Sequence, residues 1–436
     1  MCKKLPLAVL ALLAFVPGAR AAIDDAALAA ATEAVMPQVV TWRRDFHANP
    51  ELSNRETRTA KIVAEQLRKL GLEVRTGIAH TGVVGVLRGG RPGPTVALRA
   101  DMDALPVTEQ VDVPFKSLVT AEYRGEKVGV MHACGHDAHT AILLGAARVL
   151  AGMKAELPGT VLFVFQPAEE GAPEGERGGA NLMLEEGLFS NPKPEAMFGL
   201  HVMSSGNVGT VGYRSGPLMA GSDRFRLVVH GRQTHGAMPW GGIDPIVTAS
   251  QIVLGLQTIV SRQVDITQYP AIVSVGAIKG GVRNNIIPDS VELVGTFRTF
   301  DPAVRAQVTE RIKRIATATA AAQGASVDVS FGDDPNPVVR NDPALAVRAA
   351  ASLARAVGKG NVAVVPYVTA SEDFAFYAQQ VPAFFYFVGA TPQGQDPVTA
   401  PSNHSPLFYL DEGALPVGLR SLLGVTVDYL QGVKPD

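Results

Sequence analysis

Cysteine is nearly missing from this sequence, which has only Cys2 and Cys134 among 436 residues. So few cysteines exclude the small secreted scaffolds that depend on several disulfides. A CxxC pair is also absent, which argues against a thiol-redox or metal-storage protein. The chain must therefore be stabilised by an ordinary hydrophobic core, and 47% of its residues are hydrophobic.

The sequence also has little net charge and no long basic run. Its 39 Lys and Arg residues nearly balance its 41 Asp and Glu residues, which leaves a formal net charge of −2. Proteins that bind nucleic acid usually present a basic face to the phosphates, so we expect no nucleic-acid partner. Low-complexity tracts are absent as well, which excludes a largely disordered chain.

Long apolar runs are limited to one, at residues 5–16. It follows Lys3 and Lys4 and precedes a small-x-small sequence, an order typical of a secretory signal peptide over residues 1–21. The run is short for a membrane span, although an uncleaved anchor is the alternative. We expect an exported protein, periplasmic or secreted, without a membrane segment after signal removal. Its one remaining thiol, Cys134, would need burial or a bound partner in an oxidising compartment.

Hydrophobic periodicity predicts an α/β fold. Over residues 22–214, buried-strand patterns such as GTVLFVFQ and EAMFGLHV alternate with helix patterns, which indicates a mostly parallel sheet. Residues 215–330 show the order βαββαβ, typical of a ferredoxin-like sandwich. The α/β alternation resumes over residues 331–436. We predict one α/β domain interrupted by an inserted domain; two tandem domains are the alternative, but the last segment is short for a core of its own.

Acidic residues and a histidine follow several predicted strands. Asp101 and Asp103 come after TVALRA, Glu169 and Glu170 after GTVLFVFQPA, and His201 after EAMFGL. Ligands of open α/β sheets bind beyond the carboxyl ends of the strands. These side chains are therefore predicted to share one site.

The segment MHACGHDAHT, residues 131–140, adds three histidines and Cys134 to the candidates. Gly135 permits a turn that aims Cys134 and His136 at one point, and Asp137 is predicted to be the N-cap of the following helix. Thiolate, imidazole and carboxylate together suit zinc or another first-row divalent ion. A histidine-rich turn without metal and a solvated acidic loop are the alternatives for these segments.

An ordered set of motifs resembles the amidohydrolase branch of the metallo-aminoacylase and zinc carboxypeptidase superfamily. The motifs are RADMDALP, MHACGHDAHTA, QPAEEG, GLHV, HGAMP, NIIPDSVELVGTFRTF, SEDFAFY and NHSP. This branch includes hippurate hydrolases, N-acyl-amino-acid hydrolases and plant auxin-conjugate hydrolases. The resemblance implies an enzyme that cleaves the amide bond of N-acyl amino acids or short peptides.

The resemblance further implies two divalent metal ions per subunit. Zinc, manganese, cobalt and nickel all remain open, because availability decides as much as affinity. Cys134 would bridge both ions. Glu170 and His404 would complete the shell of one ion, and His136 and His201 that of the other.

Three more roles near the metals follow from the resemblance. Glu169 would be the general base that acts on a water molecule. Asp103 would lie behind the ligands and orient an imidazole. Asp101 stands where the peptidase branch has a metal-binding histidine, so it is not counted as a ligand.

The inserted domain would be a lid and a dimerisation domain, which implies a homodimer. His235 in HGAMP would stabilise the oxyanion, and Asn285 would hold the substrate carboxylate or carbonyl. Arg298 is another candidate for that carboxylate; the alternative is an arginine that faces solvent. The sequence departs from the family pattern at Trp240, where relatives often have histidine, and this departure concerns substrate preference.

The other histidines are predicted to be structural because they have no clustered partner. They are His47, His80, His132, His139 and His230. Two rival functions remain at this stage: an exported metallo-carboxypeptidase or dipeptidase, and a non-catalytic periplasmic binding protein. The presence of Glu169 argues against the binding protein, because binding alone needs no base.

Overall fold

The computed structural model describes residues 22–332 and 335–434. The predicted signal peptide, residues 1–21, lies outside the described residues. No α-helix in the described part of the chain is long and apolar enough to cross a bilayer.

The structure contains the following elements in its described residues. The α-helices are α1 (Asp25–Ala48), α2 (Thr57–Lys69), α3 (His136–Gly152), α4 (Gly179–Glu185), α5 (Pro245–Thr258), α6 (Pro302–Ala322), α7 (Pro343–Val357), α8 (Phe374–Ala378) and α9 (Ala414–Leu430). The strands are β1 (Glu73–Ile78), β2 (Gly82–Arg88), β3 (Arg91–Asp101), β4 (Thr120–Tyr123), β5 (Glu126–Gly129), β6 (Pro158–Gln166), β7 (Ala196–Asn207), β8 (Val211–Tyr213), β9 (Gly216–Met219), β10 (Gly221–His230), β11 (Thr234–His235), β12 (Ile272–Gly280), β13 (Ile286–Ile287), β14 (Ser290–Thr299), β15 (Ser326–Phe331), β16 (Val339–Asn341), β17 (Val362–Val364) and β18 (Ala383–Thr391).

The large sheet has eight strands in the order β1-β2-β6-β3-β7-β18-β8-β17. Its centre is parallel, since β3 pairs in parallel with β6 and β7, and β18 pairs in parallel with β7. Antiparallel pairs lie on either side, at β1–β2, β2–β6 and β18–β8. The predicted α/β class with a mostly parallel sheet is confirmed.

Both faces of the large sheet are covered, which explains the unbroken apolar runs of its central strands. Val161, Phe163 and Phe165 of β6 belong to a cluster with α1, α3, α7 and α9. Leu162 and Val164 belong to a second cluster, on the opposite face, with α4 and α8. Polar side chains are therefore confined largely to the ends of these strands, where the candidate site lies.

The second sheet is antiparallel and has the order β12-β14-β10-β15. In chain order its elements are β10, α5, β12, β14, α6 and β15, the βαββαβ succession that the sequence predicts. The helices α5 and α6 pack on one face of this sheet in a cluster of their own. The small sheet spans residues 221–331, while the domain boundaries at 214/215 and 330/331 stay predictions.

Two local predictions were wrong. The N-cap of α3 is Gly135, with φ of 98°, and Asp137 lies inside the helix. A Cβ at Gly135 would lie 2.2 Å from Val202 Cγ2, so only glycine fits this turn without displacing β7. The Asp137 carboxylate instead contacts Arg43 Nε at 3.0 Å and His47 Nδ1 at 2.8 Å. His201 lies within β7 and does not follow it.

Candidate metal centre

The five predicted metal ligands converge beyond the carboxyl ends of β3 and β6. They form two groups that share the Cys134 thiol: Cys134 with His136 and His201, and Cys134 with Glu170 and His404. In each group, all ligand atoms lie within 4.8 Å of one another. These are the two sets that the resemblance implies for two ions, while binding of metal by these residues stays a prediction.

The distances within the groups suit a small cation. Cys134 Sγ lies 3.3 Å from His201 Nε2 and 3.2 Å from His404 Nε2. His404 Nε2 lies 3.1 Å from Glu170 Oε1. A zinc ion sits about 2.3 Å from sulfur and about 2.0–2.1 Å from nitrogen, which sets its ligand atoms 3–4 Å apart. The donors thus need little movement to surround an ion.

Backbone carbonyls orient two of the ligand histidines. His136 Nδ1 lies 2.9 Å from Asp103 O, and His201 Nδ1 lies 2.8 Å from Val202 O. These hydrogen bonds place the proton on Nδ1 and leave the lone pair of Nε2 free to bind a metal. His136 Nε2 is buried, has no hydrogen-bond partner in the described residues and lies 3.9 Å from Glu169 Oε2. A cation in front of this nitrogen would satisfy it.

Asp103 fixes the geometry of both glutamates. Its carboxylate accepts the backbone N–H groups of Glu169 and Glu170, each at 3.0 Å, and the hydroxyl of Ser53 at 2.7 Å. Its carbonyl accepts the N–H of His136. Because Asp103 is only 1% exposed, these bonds are sheltered from water. Asp103 therefore holds the backbone of both glutamates and the ring of His136 in place.

The loop before Glu169 is held by a second buried carboxylate. Glu56 is completely buried, and its Oε1 accepts the N–H of Ala168 at 2.9 Å. Its Oε2 accepts the hydroxyl of Thr81 at 2.5 Å. Ala168 has φ of 52°, which lies in the left-handed region that non-glycine residues rarely adopt. The surrounding contacts thus keep this turn, and Glu169 after it, in one conformation.

Asp101 and His139 lie beside the centre, but their polar atoms already form other hydrogen bonds. His139 Nδ1 lies 2.6 Å from Asp101 Oδ1, and His139 Nε2 accepts the N–H of Val202 at 2.8 Å. Since both ring nitrogens have partners, His139 could bind a metal only by losing one of them. The group of Asp101, His136 and His139, although compact, is therefore a poorer site than the two that share Cys134.

The chemistry of Cys134 also fits a bound cation. Burial first, and then the carboxylates of Glu170 and Glu169, raise the pKa of the Cys134 thiol well above its ordinary value. Such a thiol stays protonated unless a positive charge stabilises the thiolate. A coordinated divalent ion supplies that charge. The donor set therefore fits metal ions both in geometry and in charge.

Three charged residues near the centre, Arg99, Glu372 and Asp373, were not predicted as site residues from the sequence. Arg99 is completely buried and contacts Asp101 Oδ2 at 2.5 Å, Glu372 Oε1 at 2.8 Å and Asp373 Oδ1 at 3.0 Å. Carboxylate oxygens of Glu372, Asp373 and Glu169 lie within 4.8 Å of one another. The motif SEDFAFY carried the signal for Glu372 and Asp373, but the sequence gives them no role. Arg99 lies in a strand pattern, where nothing marks an arginine as buried.

The loop of His404 is tied to the centre by Asn403, which was also missed. Asn403 Nδ2 donates to the carbonyls of Cys134 and Val202, both at 3.0 Å, and Asn403 Oδ1 accepts the N–H of Ser204 at 3.1 Å. His404 itself has φ of 72° and is held by its N–H bond to Ala133 O at 2.8 Å. The NHSP motif thus contains an anchor, Asn403, as well as a predicted ligand, His404.

The predicted substrate residues lie in β14 of the small sheet and around the separate two-stranded pair β11–β13. His235 is in β11 and exposed, and the N–H of the next residue, Gly236, donates to Asn285 O at 2.8 Å. Arg298 is half-buried and contacts the hydroxyls of Ser222 and Thr296. The compact ligand groups in the described residues do not include His235. The structure therefore brings the backbone beside His235 against Asn285, and His235 lies outside the compact ligand groups.

The remaining histidines and Trp240 lie outside the two ligand groups that share Cys134. His47, His80 and His230 each contact an acidic side chain or a carbonyl. His132 is 1% exposed, and burial lowers its pKa to about 4. Trp240 is 81% exposed, on the loop after His235.

Replacing Arg99 with methionine is expected to destabilise the protein strongly. Methionine has a similar length but no charge, so the carboxylates of Asp101, Glu372 and Asp373 would be left without their buried cation. Breaking a buried ion pair from one side typically lowers stability by about 3–5 kcal/mol. Urea unfolding of the parent, Arg99→Met and the exposed control Arg340→Met would measure this. Equal stabilities of the two variants would contradict the assigned role of Arg99.

Comparison with known proteins identifies the family of the chain. A sequence profile described as Peptidase family M20/M25/M40 matches residues 97–426, which include the five converging ligands. The chain is 41% identical over 381 residues to thermostable carboxypeptidase 2 of Saccharolobus solfataricus, with 87% of this chain and 92% of that relative covered. It is 38% identical over 405 residues to an N-acetylcysteine deacetylase of Bacillus subtilis, with 93% of this chain and 100% of that relative covered.

A solved structure gives the same result for the fold. The Bacillus subtilis YXEP protein, described as a dinuclear metal-binding peptidase of the M20 family, has a TM-score of 0.77 to this structure. The two chains are 36% identical, and the match covers 92% of this chain and 100% of the other. The predicted resemblance is confirmed at the level of the family.

Proposed function

The chain belongs to peptidase family M20/M25/M40, a family of metal-dependent amide hydrolases, and from this premise we propose that it releases amino acids from N-acyl amino acids. The observation that carries the proposal is the pair of ligand groups sharing Cys134, with Glu169 beside them. A site that only binds a ligand needs no carboxylate placed to take a proton from a metal-activated water. The site therefore favours a hydrolase over a non-catalytic binding protein.

The activities of two relatives support the proposed substrate class. An N-acetylcysteine deacetylase acts on an acylated amino acid, and a carboxypeptidase acts on a peptide. Both activities release an amino acid from an amide bond. We propose N-acyl amino acids, including hippurate-like conjugates, as the substrates; the 41% sequence identity to the carboxypeptidase makes short peptides the second candidate.

The residues of the centre fit divalent ions by the tests of geometry and charge above. Such ions would supply Lewis-acid chemistry, which activates water and polarises the amide carbonyl. Glu169 would accept the proton of the attacking water and pass it to the leaving amine. Asp103 would hold the backbone of Glu169 and Glu170 in place during this transfer, because its carboxylate accepts both of their N–H groups.

We assign substrate contacts to the inserted domain as part of the same proposal. His235 would donate to the oxyanion, and Asn285 or Arg298 would bind the substrate carboxylate. Since these side chains lie in the predicted inserted domain, the domain would act as a lid that moves toward the metal centre. A homodimer through this domain and export of the mature chain complete the proposal.

A substrate panel on metal-exchanged protein is the direct test. We expect a chelator-treated protein to be inactive and to regain activity when zinc, manganese, cobalt or nickel is added back. The panel contains N-acetyl, N-benzoyl and N-fatty-acyl amino acids together with dipeptides, and free amino acid is the measured product. Faster turnover of the acyl amino acids would support the proposal.

Two other results would change the assignment. Faster turnover of the dipeptides would make the protein a dipeptidase or carboxypeptidase with the same machinery. Absence of turnover with every metal, in protein shown to bind two ions, would reject both proposed substrate classes.

A further inference from the structure

One short segment links the inserted domain to the carboxylates beside Glu169. We call residues 365–373 the bridging segment; it begins after β17 and ends at the start of α8. Its last two residues, Glu372 and Asp373, are buried, whereas its first half is half-buried or exposed. The segment therefore runs from the surface junction of the two domains into the metal centre.

The first half of the bridging segment is bonded to the connection between the domains. The N–H of Ala220 donates to Val368 O at 2.9 Å and to Ala370 O at 3.1 Å. The N–H of Val368 donates to Leu218 O at 3.0 Å. Ala220 lies between β9 and β10, where the chain enters the small sheet. A change in the path of this connection would therefore move the bridging segment with it.

Tyr367 packs the bridging segment directly against the inserted domain. The centroid of its ring lies 4.8 Å from that of Phe300, which follows β14, and 6.2 Å from that of Tyr269, which precedes β12. On the catalytic side, Arg214 Cζ lies 3.9 Å from the centroid of the Tyr367 ring. Arg214 also donates to Val365 O at 3.0 Å. Tyr367 is thus held between the two domains by aromatic and cation–π contacts.

The other end of the bridging segment is fixed around the general base. Asp373 accepts two bonds from Gln166 Nε2 at 2.8 Å, and Gln166 is the last residue of β6. Glu372 contacts Arg99, and carboxylate oxygens of Glu372, Asp373 and Glu169 lie within 4.8 Å of one another. A displacement of the segment would therefore change the surroundings of Glu169.

We propose that Tyr367 is a positioning residue that couples the orientation of the inserted domain to the placement of Glu372 and Asp373 beside Glu169. Rotation of the domain carries Phe300 and Tyr269, and their contacts with the Tyr367 ring transmit the motion. The segment between Tyr367 and Glu372 is short and hydrogen-bonded, so it passes the motion on. This inference rests on the proposed hydrolase function and extends it to a residue that contacts neither substrate nor ligand.

The test compares three tyrosine variants of the metal-loaded full chain. Tyr367→Ala removes the ring, Tyr367→Phe keeps it, and Tyr429→Ala is the control. Tyr429 also stacks under an arginine, with Arg348 Cζ 4.5 Å from its ring centroid, but this contact joins two helices of the catalytic domain. The measurements are kcat and KM on the preferred substrate, bound metal, and hydrogen–deuterium exchange of the peptides that cover residues 166–171 and 370–381.

The proposal expects Tyr367→Ala to lose about 10- to 100-fold in kcat, the range that a small misplacement of catalytic groups produces, with KM and bound metal little changed. Exchange in both peptides should become faster, and Tyr367→Phe should behave like the parent. A Tyr367→Ala protein that matches Tyr429→Ala in kcat, or that loses metal, would overturn the coupling. If the parent turns over no substrate, the proposed function fails, while unchanged exchange at residues 370–381 would still refute the coupling separately.

Discussion

Replacement of Cys134 by serine is expected to remove bound metal and activity together. Both ligand groups share this one thiol, so a single change weakens two sites at once. Serine has the size of cysteine, but its hydroxyl does not ionise near neutral pH and is a poor ligand for the ions considered. Loss of a residue that merely orients a ligand weakens metal binding or activity by about 10- to 100-fold. Loss of a shared ligand should therefore lower activity by at least about 100-fold.

Aspartate at the same position provides the matched control. Cys134→Asp restores an anionic donor that can bridge two ions, so it should retain more metal than Cys134→Ser. Metal content is measured by elemental analysis after gel filtration, and hydrolysis is measured on the same samples. A Cys134→Ser protein that is fully metal-loaded and active would refute the shared-ligand role of the thiol.

The fold was largely predictable because its strands carry simple patterns. The strands β6 and β18 are buried on both faces and appear as continuous apolar runs. The strand β10 has one buried face and appears as an alternating pattern. The start of α3 was not predictable by the usual capping rule, because its N-cap is Gly135. That glycine is required by the close approach of Val202, which belongs to another strand.

Prediction of the site from the sequence rested on donors with metal chemistry near strand ends and on the family resemblance. Residue type and position made Cys134 and Glu170 candidates, and the resemblance implied their roles as ligands. The buried charges behind them could not be recognised, because Arg99 contacts Glu372 and Asp373 across 273 and 274 positions of sequence. Pairing over such distances is decided by the sheet order β6-β3-β7-β18 and the packing of α8 against it. Periodicity along one segment carries no information about it.

His235 marks a different limit of sequence reasoning. The motif around it resembles the family closely, yet His235 lies in the two-stranded pair β11–β13, outside the four-stranded small sheet. Its proposed contact with the oxyanion depends on the relative position of the two domains. A motif specifies a residue and its neighbours in sequence, but not the domain arrangement in which that residue acts.

Glu169→Gln should keep both metal ions and lose almost all turnover. Glutamine has the shape of glutamate but cannot accept the proton of the attacking water. A positioned general base typically contributes about 10²–10⁴-fold to the rate, so kcat should fall by about that factor. The neighbouring variant Glu170→Gln is the matched control, because it changes a proposed ligand and should lose metal as well as activity.

The thermal stability of the metal-free protein provides an independent readout for Glu169→Gln. Burial first, and then the charges of Glu372 and Glu170, raise the pKa of Glu169 well above its ordinary value. Because the folded state then binds the proton more tightly than the unfolded state, ionised Glu169 destabilises the metal-free protein increasingly as the pH rises. Glu169→Gln removes that charge, so the metal-free variant should unfold at a higher temperature than the metal-free parent at neutral pH. A lower unfolding temperature would contradict the destabilising charge of Glu169, whereas retained turnover would show that the base lies elsewhere.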